Sequence, residues 1–265
     1  MTAALLSVGR VRGVAFTVVG SGGPVTVFAH GLGGSSAETR PLAARTPGTR
    51  VLLDFRGHGD SDALPDGWDY DLLADDLLAV ADATGATQAV GLSVGSGALL
   101  RLLSRDPSRF ERLAMVMPAA LDEARDDGAT QAIRRLGSAI DAKDVEAVTD
   151  LLLAELPEQV RVRRGVRLLL GRRAASLVTR PAPRPLRPDR PLHDRAVLSA
   201  VTAPALVVGQ DEDPLHALDI AVELTAALPC AALLALPPGG VFWTAGLQTS
   251  RALARHLGDL TDEEL

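Results

Sequence analysis

The sequence predicts an α/β fold, a mostly parallel sheet flanked by helices, and three observations carry that expectation. Short apolar runs alternate with helix-like stretches along most of the 265 residues, the rhythm of strand–helix–strand units with right-handed crossovers. The runs are continuous rather than alternating, as strands covered on both faces require. The rhythm is interrupted once, from 119 to about 202, by helix-like sequence with no convincing strand.

Along the chain, ALLSV and GVAFTVV on either side of Arg10–Gly13 suggest an antiparallel hairpin at the sheet edge. The buried strands then read as VTVFAHG (25–31), RVLLDFRG (50–57), TQAVGLS (87–93), RLAMVMP (112–118), PALVVGQ (204–210) and AALLALP (231–237). Each is short, rich in Val, Ala and Leu, and bounded by Gly, Pro or charge. Helices are expected at 36–45, 70–84, 95–105, 216–228 and 244–257, with Asp69 placed to cap the second. Within the interruption, QAIRRLGSAIDA, VEAVTDLLLAEL and VRRGVRLLL have helical spacing. PAPRPLRPDRP then places five prolines in eleven residues, which cannot continue a helix and should run extended. The simplest organisation is a core of 1–118 and 203–265 with a helical cap inserted at 119–202.

Composition removes several classes of function. With 47% hydrophobic residues the chain is not a disordered segment, and no run of about 18 apolar residues could span a bilayer. The opening MTAALLSVGRVR does not read as a secretory signal, and the lone Cys230 fits a reducing compartment, so a cytoplasmic location is expected. The net charge is −6, yet residues 161–195 hold eleven arginines against Asp189 and Asp194, leaving −15 on the remainder. Within it, RVRRGVRLLLGRR reads first as a solvated helix face paired with acidic residues of the core, and second as guanidiniums presented to a carboxylate or phosphate on a substrate. With 3% aromatic residues there is no stacking platform for nucleic acid. The expected partner is a small-molecule substrate, with no cofactor, metal, nucleic acid or membrane; a homodimer stays open.

The sharpest local signal is Gly91-Leu92-Ser93-Val94-Gly95, which follows the apolar run TQAV and opens the helix GSGALLRLLSR. Gly-x-Ser-x-Gly at a strand-to-helix junction exposes a serine on a strained turn whose neighbours must be small. Val94 N–H then points from a helix N-terminus toward a developing oxyanion.

Here the chain resembles the α/β-hydrolase superfamily over nearly its whole length. His30-Gly31-Leu32-Gly33-Gly34-Ser35 resembles that family's HGxGG loop after the third strand, and Asp54-Phe55-Arg56-Gly57-His58-Gly59-Asp60-Ser61 resembles its DxRGxGxS turn. The resemblance implies Ser93 as nucleophile and Leu32 N–H beside Val94 N–H as oxyanion donors. The long insertion also falls where the family places its cap. The family's acid follows the strand matching PALVVGQ, where Gly209-Gln210-Asp211-Glu212-Asp213-Pro214-Leu215-His216 stands. Asp213, leading into Pro214, matches best and Asp211 second; either carboxylate could instead cap the following helix.

The base departs from the pattern. The family's histidine follows the last strand, but the turn here is Pro237-Pro238-Gly239-Gly240-Val241-Phe242-Trp243, with valine at the expected position. Valine accepts no proton. Four other histidines compete for the role: His30 in the oxyanion loop, His58 in the RGHGDS turn, His193 in the proline-rich connector and His216 on the acid loop. His216 is the most attractive, although a helix-start histidine with a structural role explains it too. His256, near the end of the final helix, is too far along the chain to substitute. Val241, Trp243 and His58 are the candidates for lining the pocket. The expected function is a serine-dependent, esterase-like hydrolase of a small, largely apolar carbonyl compound. The competing expectation is a non-hydrolytic member, either a cyclase or lyase of a biosynthetic pathway or a ligand-binding pseudoenzyme.

Overall fold

In a computed structural model, residues 6–64, 66–123, 128–180 and 189–258 are described. A hairpin of β1 (Leu6–Val11) and β2 (Val14–Val19) leads into β3 (Val25–Ala29), α1 (Ser36–Ala43), β4 (Thr49–Asp54), α2 (Tyr70–Thr84), β5 (Gln88–Leu92), α3 (Val94–Arg105) and β6 (Arg112–Val116). After α4 to α7, β7 (Ala205–Gln210), α8 (Leu218–Ala227), β8 (Ala231–Leu236) and α9 (Gly246–Gly258) close the chain. The sheet order is β1-β2-β4-β3-β5-β6-β7-β8. β1 and β2 pair antiparallel, as does β2 with β4, and every pairing from β4 onward is parallel.

Burial explains the continuous apolar runs. On one face, side chains of α2, α3 and α8 such as Leu73, Leu77, Leu99, Leu103 and Leu224 pack against Val27, Ala89 and Val207. On the other, Leu42 of α1 and Leu253 and Leu257 of α9 cover Phe28, Leu52, Val90 and Val208. β8 departs from the expectation of a buried strand. Lying at the sheet edge, it leaves Ala232, Leu233 and Ala235 exposed, because only one neighbour shields it.

The strand order reverses between β3 and β5. The chain runs outward from β3 to β4, then crosses back to β5 and builds in the other direction. In open α/β sheets the crevice outside the carboxyl ends at such a switch is where ligands bind. The loop beginning at His30 and the turn at Ser93 both emerge there.

Between β6 and β7 the chain forms α4 (Gly128–Asp141), α5 (Val145–Ala154), α6 (Glu158–Arg161) and α7 (Val166–Thr179). These helices have their own apolar cluster, comprising Val148, Leu152, Val160, Val166, Leu170, Ala174 and Leu177, and Trp243 of the core packs against it. The prolines expected to run extended fall largely at 181–188, outside the described residues. Where the chain returns, Arg101 of α3, 4% exposed, holds it. Arg101 donates to Asp189 Oδ1 (3.2 Å), Arg190 O (2.6 Å) and Pro191 O (2.8 Å), and also pairs with Asp71 (2.7 Å). A turn of 3₁₀ helix at Arg195–Ala200 then delivers β7. None of the helices among the described residues is long and apolar enough to cross a membrane.

Candidate functional site

Ser93 is the residue between β5 and α3, with φ 51° and ψ −112°. A non-glycine residue rarely adopts that conformation and costs about 1–3 kcal/mol there. The surroundings enforce it. Ser93 N–H donates to Val116 O at 2.9 Å, and Ser96 Oγ–H donates to Gly91 O at 2.8 Å. A Cβ on Gly91 would lie 2.5 Å from Gly95 O, and one on Gly95 would run into the backbone of Ala29 and His30. The two glycines therefore let α3 start against the ends of β3 and β5. The Ser93 side chain remains partly exposed.

The acid loop follows β7. The expected helix at 216–228 begins only at Leu218, so His216 stays on the preceding turn. Asp213 builds that turn. Its Oδ1 accepts from Leu215 N (2.8 Å) and His216 N (2.9 Å), and the same oxygen accepts from the His216 ring at Nδ1 (3.1 Å). Folding the chain back over three residues thus returns the imidazole to the carboxylate that made the fold. The other ring nitrogen, Nε2, lies 2.9 Å from Ser93 Oγ. An ionised carboxylate only accepts, so Nδ1 carries the proton and Nε2 is left to accept from the serine hydroxyl. Burial opposes ionisation of Asp213, but the hydrogen bond and charge of His216, with the two backbone N–H donors, outweigh it and hold the carboxyl below its usual range. Asp211, the second acid candidate, is exposed and accepts from Glu212 N.

The position where the resemblance puts a histidine serves another purpose. Residues Gly240–Thr244 form a π-helical turn, and the Val241 side chain is 1% exposed within the cluster that includes Leu236, Leu253 and Leu257. Val241 is thus a core side chain rather than a pocket-lining one. Its backbone N–H donates to Gln210 Oε1 at 3.2 Å, and Gln210 Nε2 donates to Asp213 Oδ2 at 2.6 Å. Trp243, a second pocket candidate, packs toward the inserted helices, and its carbonyl accepts from Arg163.

The remaining histidines have other settings. His30 is fully buried. Its Nδ1 is 2.7 Å from Gly31 O and its Nε2 accepts from Phe55 N at 3.0 Å, so both nitrogens are occupied. Burial pushes its pKa down. His58 is 8% exposed, its ring 5.0 Å from that of His30; Nδ1 faces Arg56 O, and Nε2 has no hydrogen-bond partner among the described residues. Burial pushes it down to about 4, so it is neutral near pH 7. His193 is exposed, and His256 lies 2.9 Å from Leu113 O.

The glycine loop lies beside the serine: a Cβ on Gly31 would stand 3.5 Å from Ser93 Cβ. Gly31 N–H donates to Glu38 Oε2 at 3.0 Å, and Glu38 Oε1 pairs with Arg173 of α7 at 3.2 Å. Leu32 and Gly33 are partly exposed. At the end of α5, Glu155 is pushed up to about 7 by burial, with Arg173 pulling it down and Asp213 adding to the rise. A cleft of about 590 Å³ separates Glu155, Leu156 and Pro157 from Glu212, Pro214 and Pro238. No group of three or more metal-ligating side chains occurs among the described residues.

Gln210, Glu38 and Arg173 were not singled out by sequence reasoning. Gln210 had one cue, a polar residue ending an apolar strand. Glu38 had another, standing three residues after the helix cap Ser35 in the spacing of a capping box. Its carboxylate nevertheless turns to the glycine loop.

Comparison with known proteins agrees with this architecture. The sequence profile described as alpha/beta hydrolase fold matches residues 24–242. The chain is 31% identical over 142 residues to the dihydrolipoyllysine-residue acetyltransferase component of the acetoin cleaving system of Cupriavidus necator, covering 51% of this chain and 37% of that protein. It is 27% identical over 146 residues to the AB hydrolase superfamily protein YisY of Bacillus subtilis, covering 53% and 52%. The chain thus spans about half or less of the curated relatives it matches. Carboxylesterase CesB of Bacillus subtilis superposes with a TM-score of 0.78 at 16% identity, covering 98% of this chain and 93% of that one. With the profile spanning most of its length, this chain belongs to the alpha/beta hydrolase fold family.

Proposed function

We propose that the chain is a serine hydrolase of small, largely apolar carboxylic esters, with Ser93 as nucleophile, His216 as general base and Asp213 as the orienting acid. The observation that carries this reading is the continuous contact from Ser93 Oγ to His216 Nε2 (2.9 Å) and from His216 Nδ1 to Asp213 Oδ1 (3.1 Å). Chain order and roles match the serine–histidine–acid triad; the histidine alone has moved, from after the last strand to three residues beyond the acid.

Catalysis follows from the geometry. His216 Nε2 takes the proton as Ser93 Oγ attacks the ester carbonyl, and Asp213 steadies the imidazolium that forms. The oxyanion faces Val94 N–H at the start of α3 and Leu32 N–H on the glycine loop; neither donates to a protein acceptor among the described residues. Collapse expels the alcohol, which takes its proton from His216. Water activated by the same imidazole then releases the acid. The inserted helices α4–α7 act as a cap over the crevice, with Arg173 reaching the glycine loop through Glu38. Likeness to a protein named carboxylesterase is consistent with ester substrates.

A panel of short-chain p-nitrophenyl esters, with a fluorophosphonate probe, tests the reading. Ester turnover abolished by Ser93→Ala and cut severely by His216→Ala, with the probe attached at Ser93, is the expected result. Turnover unchanged by Ser93→Ala overturns it. The non-hydrolytic alternative rested on the missing histidine at 241, and a protein that neither cleaves esters nor takes the probe would return to it.

A further inference from the structure

We propose that Gln210 is a positioning residue of this site, a clamp between the acid and the turn that lacks the usual histidine; the inference rests on the serine-hydrolase reading above. Asp213 Oδ1 is already crowded, accepting from Leu215 N, His216 N and His216 Nδ1. Those bonds leave the carboxylate able to pivot about the Oδ1 end. Gln210 Nε2 stops the pivot by holding Oδ2 at 2.6 Å. Gln210 is the last residue of β7, whose bonds to β6 and β8 fix its backbone.

The amide has only one workable orientation. Val241 N–H is a donor, so Gln210 must turn Oε1 toward it (3.2 Å), and the –NH₂ then faces the carboxylate. The backbone of residue 241 therefore contributes to the site while its side chain packs in the core. This accounts for how a valine occupies the position: the group used there is an N–H that every residue except proline supplies. A neutral amide also suits the task. Its hydrogen bond favours the ionised carboxylate, and carrying no charge it does not compete with His216 for the negative charge of Asp213.

The test compares Gln210→Met and Gln210→Glu with the wild type by kcat and KM for a p-nitrophenyl ester from pH 5.5 to 8.5, beside Ser93→Ala and His216→Ala. Met removes the clamp, and the expected loss is about 10- to 100-fold in kcat at every pH with KM little changed. Glu keeps the shape but sets a second carboxyl against Asp213. Like charges at that spacing bind a shared proton, and the protonated Glu donates as Gln did. Gln210→Glu should therefore approach wild-type kcat at the acid end and fall progressively behind as pH rises. A merely packed side chain predicts instead that Gln210→Met, which fills the same volume, keeps wild-type kcat at every pH.

Two results separate failure of the clamp from failure of the triad. If turnover depends on Ser93 and His216 while Gln210→Met matches the wild type, the clamp is wrong and the triad stands. If wild-type turnover is independent of Ser93, the triad reading falls, and proton NMR of the His216 Nδ1 proton decides the clamp. A resonance lost or displaced in Gln210→Met supports it, and an unchanged one overturns it. Should Gln210→Met fail to fold, Gln210→Leu repeats the test: a comparable fall in kcat with KM little changed supports the clamp, and wild-type kcat overturns it.

Discussion

Removing the His216 imidazole separates chemistry from stability more cleanly than any other change in the site. In His216→Ala, Asp213 Oδ1 keeps its bonds from Leu215 N and the residue-216 N–H, and Oδ2 keeps Gln210. No buried charge is stranded, so the expected cost is one hydrogen bond to a charged group, about 1.5–3 kcal/mol of stability. The rate should suffer far more. Losing general-base assistance is worth about 10²–10⁴-fold, or roughly 2.7–5.4 kcal/mol on the barrier. Because the imidazole acts in the transition state, the fall should appear in kcat, with KM within about threefold. The assay is steady-state hydrolysis of a p-nitrophenyl ester, with a thermal melt on the same preparation. His216→Ala/Val241→His completes the experiment. Position 241 faces the core rather than the serine, so restoring a histidine there should rescue nothing and should lower stability by burying a polar ring. A His216→Ala variant that keeps more than about a tenth of wild-type kcat refutes the base assignment. Rescue by Val241→His refutes the account of the missing histidine.

Three further outcomes follow from the coordinates. Gly91→Ala sets a Cβ 2.5 Å from Gly95 O and 2.6 Å from Ser96 Cα, backbone that cannot yield, and should cost about 1–3 kcal/mol with loss of Ser93 reactivity toward a fluorophosphonate; unchanged melting and labelling would contradict it. Arg101→Met removes the 4%-exposed guanidinium shared by Asp71, Asp189 and two carbonyls and should destabilise by about 3–5 kcal/mol in urea denaturation, whereas a loss under about 1 kcal/mol would show that the returning chain is held elsewhere. His58, held down to about 4 in the folded protein against 6.5 unfolded, makes the unfolded chain the better proton binder between those values, so its contribution is complete above pH 6.5 and is lost as pH falls toward 4. That amounts to about 3 kcal/mol; His58→Leu should flatten this part of the stability–pH curve, and an identical slope in variant and wild type would rule out His58 as its source.

The fold was legible because its determinants are local and repeated. Continuous Val, Ala and Leu runs such as VTVFA and TQAVGL mark strands covered on both faces, and each β-to-α unit carries its own signal. The exception is instructive: AALLAL has the composition of a buried strand, yet β8 is an edge strand half open to solvent. Composition reports what a strand can tolerate, not how many neighbours it receives. Gly91, Ser93 and Gly95 were readable for the same local reason, since a strained serine turn needs small residues within two positions on either side.

The base was not readable in that way. Four histidines compete for the role in the sequence, and although His216 is the most attractive, spacing cannot say which imidazole arrives within hydrogen-bonding distance of a hydroxyl 123 residues away. The helix boundary decided it: α8 starts at Leu218 rather than 216, so the Asp213 turn is free to bend His216 back toward Ser93. By itself, then, the sequence determined the sheet, the crossovers, the serine turn and the absence of a histidine at 241, because each follows from nearest neighbours along the chain. Only the tertiary structure joined Ser93, His216, Asp213, Gln210 and the Val241 N–H. Those groups come from three strand ends and a turn, and through-space distances of about 3 Å between them arise from strand order and register, which no local pattern encodes.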